Sequence, residues 1–270
     1  MQTLPTYYRP ASLFSVDTNP KTLKGQKYGF KTAVLYMAPA DLSGVNLCPM
    51  AFVAKCDVAC LNTAGNPAYA ETKRRGRLNK AHYFLSDRVG FMRQVAREIA
   101  RTARKVSAEG FKLLVRLNGT TDIRWELIPV DVDAKTAKAI GVPSGVYPSI
   151  FAVFPDVQFY DYTKIPNRHS LPTNYDLTFS YSGVAAFAKH VDRARSAGMR
   201  IAVVFRSKKD IPESFIGMEC VDGDDSDIRH LDPRGVVVAL YAKGKAKNDA
   251  SGFVVDSPKR TGRIIPILAA

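Results

Sequence analysis

Acidic residues are in short supply. Twenty-five Asp and Glu stand against 39 Lys and Arg, leaving a formal charge of +14. A surplus of that size in a chain of 270 residues points to a polyanionic partner, nucleic acid or a nucleotide above all. Long apolar runs are also missing: none approaches the roughly 18 residues of a membrane span. The opening segment, MQTLPTYYRP, has no apolar signal core. Membrane residence and secretion are therefore not expected, and a cytoplasmic setting is. The G-x-G-x-x-G and P-loop patterns are absent, which removes the two commonest phosphate loops of open nucleotide-binding sheets, and the absence of G-x-S-x-G argues against a serine hydrolase. No internal repeat, low-complexity block or Gly/Ser/Pro-rich linker divides the chain.

Cysteine is scarce as well, with four residues, too few to staple a chain of this length. Their placement carries more information than their number. Cys48, Cys56 and Cys60 fall within thirteen residues, spaced C-x7-C-x3-C, while Cys220 is remote. Soft thiolates gathered in this way suit zinc or an iron–sulfur cluster. A structural zinc site needs a fourth protein ligand, which would have to come from Cys220, His82 or another distant His. A cluster held by three cysteines instead leaves one iron open to an outside ligand. The remaining reading is three buried thiols lining a loop.

An apolar content of 46% supports a sizeable core, and the pattern of apolar residues alternates between strand and helix. Residues 32–37 read as a strand running into the cysteine loop. Residues 86–106 repeat apolar side chains at helical steps, with Arg93, Arg97, Arg101 and Arg104 on the other face. Strands are predicted over 111–117, 153–160, 175–181, 200–205 and 235–241, with a second helix over 183–197. Continuous apolar runs separated by helices predict parallel strands. The fold class is therefore α/β, as a single partial or complete parallel β/α barrel, with an open doubly wound sheet as the runner-up. The organisation read from the chain is an N-terminal extension over 1–30, the barrel-like domain over 31–245 and a basic tail over 246–270.

In such folds chemistry gathers at the carboxyl ends of the strands. Those ends carry Arg116, Asn118 and Asp122, then Tyr160, Asp161 and Lys164, then Ser180. Aromatics beside basic groups suit stacking on a base and pairing with phosphate. The acidic segment from Asp222 to Asp232 does not follow the calcium-loop pattern and reads as a solvated turn with internal Asp–Arg pairing. His82, His169, His190 and His230 have no companion spaced for metal binding or catalysis.

Ser43 to Ala51 with Cys56 and Cys60, Arg116 to Ile123, Phe159 to Lys164, Asn174 to Ser180 and Asp222 to Asp225 together resemble the phage gene product eighty-eight domain family across about residues 25–245. The resemblance implies a bacteriophage or prophage origin and a bacterial cytoplasm. A second similarity is to radical S-adenosylmethionine enzymes, which place three cysteines after the first barrel strand around a [4Fe–4S] cluster; the spacing here departs from their C-x3-C-x2-C. That similarity implies Cys48, Cys56 and Cys60 as iron ligands and Asn118, Asp122 and Ser180 as S-adenosylmethionine contacts. Arg116, Tyr160 and Lys164 are then the expected substrate contacts, and Asp122, Asp161 and Lys164 the candidate catalytic groups, acting on nucleic acid or a nucleotide. Two alternatives stand beside this reading. One is a base-exchanging barrel resembling guanine transglycosylases, with structural zinc and Asp122 and Asp161 as nucleophile and base. The other is a metal-stabilised nucleic-acid-binding protein without catalysis.

Overall fold

Strand β2, Phe30–Leu35, is the first of a parallel series, and its register shows how the rest is built. A computed structural model of the chain describes residues 5–63, 70–168 and 170–256. His169 and the end of the basic tail from residue 257 lie outside the described residues.

β2 pairs in parallel with β3 (Lys112–Arg116), β3 with β6 (Gln158–Thr163), β6 with β7 (Tyr175–Ser180), β7 with β8 (Ile201–Phe205), and β8 with β11 (Val237–Tyr241). β10 (Met218–Asp222) adds a further parallel strand outside β11. Two antiparallel strands form the edges: β1 (Phe14–Val16) on β2 and β9 (Ser214–Phe215) on β10. A separate hairpin joins β4 (Val130–Val132) to β5 (Gly145–Tyr147). The mixed α/β architecture with a largely parallel sheet matches the sequence reading. The sheet ends at β1 and β9, so the complete barrel among the expectations is corrected to an open sheet of nine strands. Strands 2, 3, 6, 7, 8 and 11 lie side by side in chain order, and the direction reverses once, at β11, where β10 and β9 lie outside it; this open sheet is nearer the doubly wound runner-up than a barrel.

Chain-order neighbours linked by right-handed crossovers place their helices on one face. Alternation along the strands divides the residues accordingly. Ala33, Leu35, Leu113, Val115, Phe159 and Leu177 share a core with Phe91, Val95 and Ile99 of α3 (Arg88–Ala108) and with Phe84 of α2 (Ala70–Ser86). Farther along, Ile201, Val203, Val237 and Ala239 pack with Val191 and Ala194 of α6 (Ala188–Ser196). The Asp87 side chain caps α3 by accepting from the Gly90 amide at 2.8 Å. The short helices α1 (Pro20–Leu23), α4 (Ala134–Ile140) and α5 (Ile150–Val153) fill the periphery.

The opposite face carries Thr32, Leu114, Arg116, Tyr160, Tyr162 and Thr178, and no long helix covers it. The connection from β10 to β11 crosses it instead, and Ile228 packs there with Leu114, Tyr160 and Phe30. Gly223 permits this crossing, since a Cβ there would lie 2.6 Å from Leu240 and Val238 side-chain atoms and 2.8 Å from the Ala239 carbonyl. The expected solvated turn over Asp222–Asp232 is therefore corrected. Ile228 and Arg229 are 1% exposed and Asp227 is 5% exposed, so the middle of the segment is interior, while Asp222, Asp225 and Leu231 stay exposed and the expected Asp–Arg pairing is present between Arg229 and Asp232 at 2.8 Å. The strand expected over 153–160 is shifted as well: Ile150–Val153 is helical and the strand begins at Gln158.

Candidate functional site

The cysteine loop leaves β2 and crosses the carboxyl ends of the parallel strands. Its near end is tied to the loop after β3, where the Asp122 amide donates to the Leu47 carbonyl at 3.0 Å and the Cys48 thiol to the Thr120 carbonyl at 3.6 Å. Its far end is tied to the exit of β7, where the Ser182 hydroxyl donates to the Ala54 carbonyl at 2.7 Å. Gly119 lets the β3 loop sit against β2, because a Cβ there would approach the Leu35 carbonyl to 2.7 Å.

Cys48 accepts from the Ala40 amide at 3.3 Å, Cys56 donates to the Ala51 carbonyl at 3.8 Å, and Cys60 accepts from the Asn62 amide at 3.4 Å. Burial pushes the Cys48 thiol up to about 12 and the Cys56 thiol up to about 11, and it raises Cys60 too. The three feel one another's charge, and all three share Lys164 as an electrostatic neighbour. Among the described residues, no three His, Cys, Asp or Glu side chains meet around a single metal-ion position.

Lys164 follows directly on β6. Its Nζ donates to the Ser180 carbonyl at 3.1 Å, the Ser180 hydroxyl at 3.2 Å and the Tyr181 carbonyl at 3.2 Å, between the rings of Phe187 and Phe253. Burial lowers its pKa, opposed by Cys56 and Asp122. Its backbone amide donates to Asp122 Oδ2 at 2.8 Å. Burial raises the Asp122 carboxyl, while the Lys164 amide and the Thr163 hydroxyl pull the other way. Asp122 Oδ1 lies 3.7 Å from Arg168 Nη1, beyond hydrogen-bond length, and neither atom has a hydrogen-bond partner. Asp57 Oδ1, beside the second and third cysteines, is likewise unpartnered. Asp122 and Arg168 compensate one another as a buried ion pair beside the strand exits.

The other expected site residues divide between the two faces. Period-two alternation sends Tyr160 and Asp161 in opposite directions. Asp161 is fully buried on the helix-covered side, accepting from the Asn118 amide at 2.9 Å and the Tyr175 hydroxyl at 3.0 Å, and burial pushes its carboxyl up to about 7. Asn118 folds its own loop: its Oδ1 accepts from Thr121, from the Ile123 amide and from Trp125, and its Nδ2 donates to the Ile123 carbonyl. Arg116 and Tyr160 lie on the opposite face, where both donate to Asp227 Oδ2, at 2.9 and 3.2 Å, while Tyr162 donates to Asp227 Oδ1 at 3.3 Å. The fold therefore gathers Cys48, Cys56, Cys60, Asp122, Lys164 and Ser180 at one rim. It places Asn118 and Asp161 behind that rim, and it engages Arg116 and Tyr160 in a buried network with Asp227.

Sequence reasoning missed Arg168, Glu126 and Asp227. The Arg168 guanidinium holds Glu126 through two nitrogens and also donates to the Tyr175 hydroxyl at 3.3 Å. No local motif marks these pairs. A groove of about 420 Å³ runs beside the rim between Val58 and Ala59 of the cysteine loop and the segment from Lys245 to Ser251.

Fold and site together define an α/β protein whose largely parallel open sheet delivers three thiols, a lysine and a carboxylate to one sheet end. The profile of the gene product 88 family matches residues 12–257, and the chain belongs to that family. No curated protein and no solved structure matches it. Among the described residues, no helix is long and apolar enough to cross a membrane.

Proposed function

We propose that this chain is a phage-encoded enzyme that modifies nucleic acid or a nucleotide, with an iron–sulfur cluster on Cys48, Cys56 and Cys60 and with S-adenosylmethionine as co-substrate. In this reading the open sheet is a partial barrel. The observation that supports the proposal is that the three-cysteine loop crosses the strand exits carrying Asp122 and Ser180, tied there by the Asp122 amide to the Leu47 carbonyl at 3.0 Å and by the Ser182 hydroxyl to the Ala54 carbonyl at 2.7 Å.

The bound cluster would supply one-electron reduction of S-adenosylmethionine. The protein's own groups have separate tasks. Lys164 offsets the negative charge of the thiolates. In this role Asp122 exchanges its 3.7 Å ion pair with Arg168 for the ammonium of an amino-acid end, and Arg168 takes the carboxylate. Ser180 holds the Lys164 ammonium in place, and Asn118 with Asp161 fixes the loop that carries Asp122.

The test is cleavage of S-adenosylmethionine by anaerobically reconstituted, dithionite-reduced protein in the presence of DNA or nucleotides. Release of 5′-deoxyadenosine is expected, with loss in Asp122→Ala while the metal content is retained. A protein that releases or exchanges a base with no S-adenosylmethionine consumed would overturn the reading in favour of a transglycosylase-like barrel.

A further inference from the structure

A second charged feature lies on the helix-covered face, away from the thiols. Arg9, Arg97, Arg101 and Arg104 line a groove of about 530 Å³ that crosses α3 from the strap at Pro10 and Ala11 to Ala139 at the end of α4. Arg9, Arg101 and Arg104 are exposed, and none of the four guanidiniums pairs with a carboxylate among the described residues. Arg93, which precedes them on the same helix, is different: Asp131 and Asp133 neutralise it at 2.7 and 3.0 Å.

Three of the four are already held in position by neutral partners. Arg9 donates to Gln94 at 3.1 Å, Arg97 to the Thr136 hydroxyl at 2.7 Å and Arg104 to the Ala139 carbonyl at 3.4 Å. Such bonds orient a guanidinium and leave its charge intact. Glu98 keeps one negative charge on the groove floor, accepting from the amides of Leu13 and Phe14, from Ser12 and from Gln94, against the four guanidinium charges around it.

We infer that this groove is a docking site for the sugar–phosphate backbone of a polynucleotide. Arg97, Arg101 and Arg104 lie on one helix face and span about 10 Å at 1.5 Å rise per residue, a row of positive charge that can follow successive phosphates of one strand. No aromatic side chain lines the groove for stacking on bases. Contact is therefore with the backbone and does not discriminate sequence. No large apolar side chain lines it either, which sets it apart from a membrane-inserting face. The inference deepens the nucleic-acid part of the proposed function and rests on that part alone: the chain holds a polymer at a place separate from its chemistry.

The experiment measures anisotropy of a labelled 20-base duplex and single strand, titrated with full-length protein over a salt series. The Arg101→Gln/Arg104→Gln variant is expected to bind more weakly at every salt concentration. The slope of log K against log salt becomes shallower by about 0.7–0.9 for each arginine removed. Arg101→Gln alone breaks no intramolecular bond and should show about half that change with an unaltered melting temperature, which guards against misfolding. Inorganic phosphate and mononucleotides should compete only at far higher concentration than polymer. Binding is measured on protein that has not been loaded with iron and sulfide, so a failure of the cluster proposal does not register here. Wild-type affinity and slope in both arginine variants would overturn the inference, as would binding of phosphatidylserine vesicles but not of DNA.

Discussion

The backbone amide of Lys164 donates to the Asp122 carboxylate at 2.8 Å, joining the exit of β6 to the loop after β3 at the place where the cysteine loop crosses. One carboxylate thereby fixes two strand ends, while its second oxygen faces the Arg168 guanidinium at 3.7 Å. Replacing Asp122 with alanine strips the acceptor from a buried amide and leaves Arg168 less compensated. A loss of about 1–3 kcal/mol in unfolding free energy is expected from denaturant titration. A change below 0.5 kcal/mol would mean that this tie does not hold the rim together.

Asp161 gives the fold a pH signature. Its carboxyl is raised from the ordinary value of 3.8 to about 7 by burial. The folded chain therefore retains a proton that the unfolded chain has released. The stability associated with it is fully present below about pH 4 and is lost as pH rises through 7. Asp161→Asn should flatten the stability profile between pH 4 and 7 and keep the acceptor for the Asn118 amide. An unchanged profile would assign that pH dependence to another group.

The thiols have the same sign at higher pH. Cys48 and Cys56 are pushed up to about 12 and about 11, so stability is kept below pH 9 and lost as pH climbs through those values. At pH 8, alkylation of metal-free folded protein by iodoacetamide should be at least about ten-fold slower than that of an unhindered thiol. Rates equal to those of the urea-unfolded chain would contradict the burial. Metal loading must displace these protons and should accelerate with rising pH.

Arg116 and Asp227 lie 111 residues apart in sequence yet form a buried ion pair, shared with Tyr160 and Tyr162. Asp227→Ala strands a guanidinium in the interior and should cost about 3–5 kcal/mol. Adding Arg116→Met should recover much of that loss. A double variant no better than the single one would show that the pairing is not the source of the cost.

Legibility followed local pattern. Residues 113–115, 201–205 and 237–241 are continuous apolar runs, and they lie in parallel strands. α2 escaped notice because its buried residues are few and mixed, Asn79, Ala81, Tyr83 and Phe84 on an otherwise charged helix, so no apolar stripe announces it. β10, Met-Glu-Cys-Val-Asp, lacks an apolar run because it lies near a sheet edge beside the short β9. At the site, the cysteines stand out through their proximity in sequence, and Asp122, Lys164 and Ser180 through their positions at strand exits. Asp227 and Arg168 were hidden because their partners come from distant strands, and the acidic segment that carries Asp227 has the composition of a solvated turn. Tyr160 and Asp161 show a different difficulty: adjacent residues in a strand share a motif but face opposite sides of the sheet.

Metal content bears most directly on the central claim. The protein should be reconstituted anaerobically with iron and sulfide, desalted, and measured for iron, zinc and visible absorption beside the Cys48→Ser/Cys56→Ser/Cys60→Ser variant. The account requires a brown protein with roughly four irons per chain, bleached by dithionite, and a colourless variant. Stoichiometric zinc in a colourless wild-type protein, or equal iron in the variant, would contradict it.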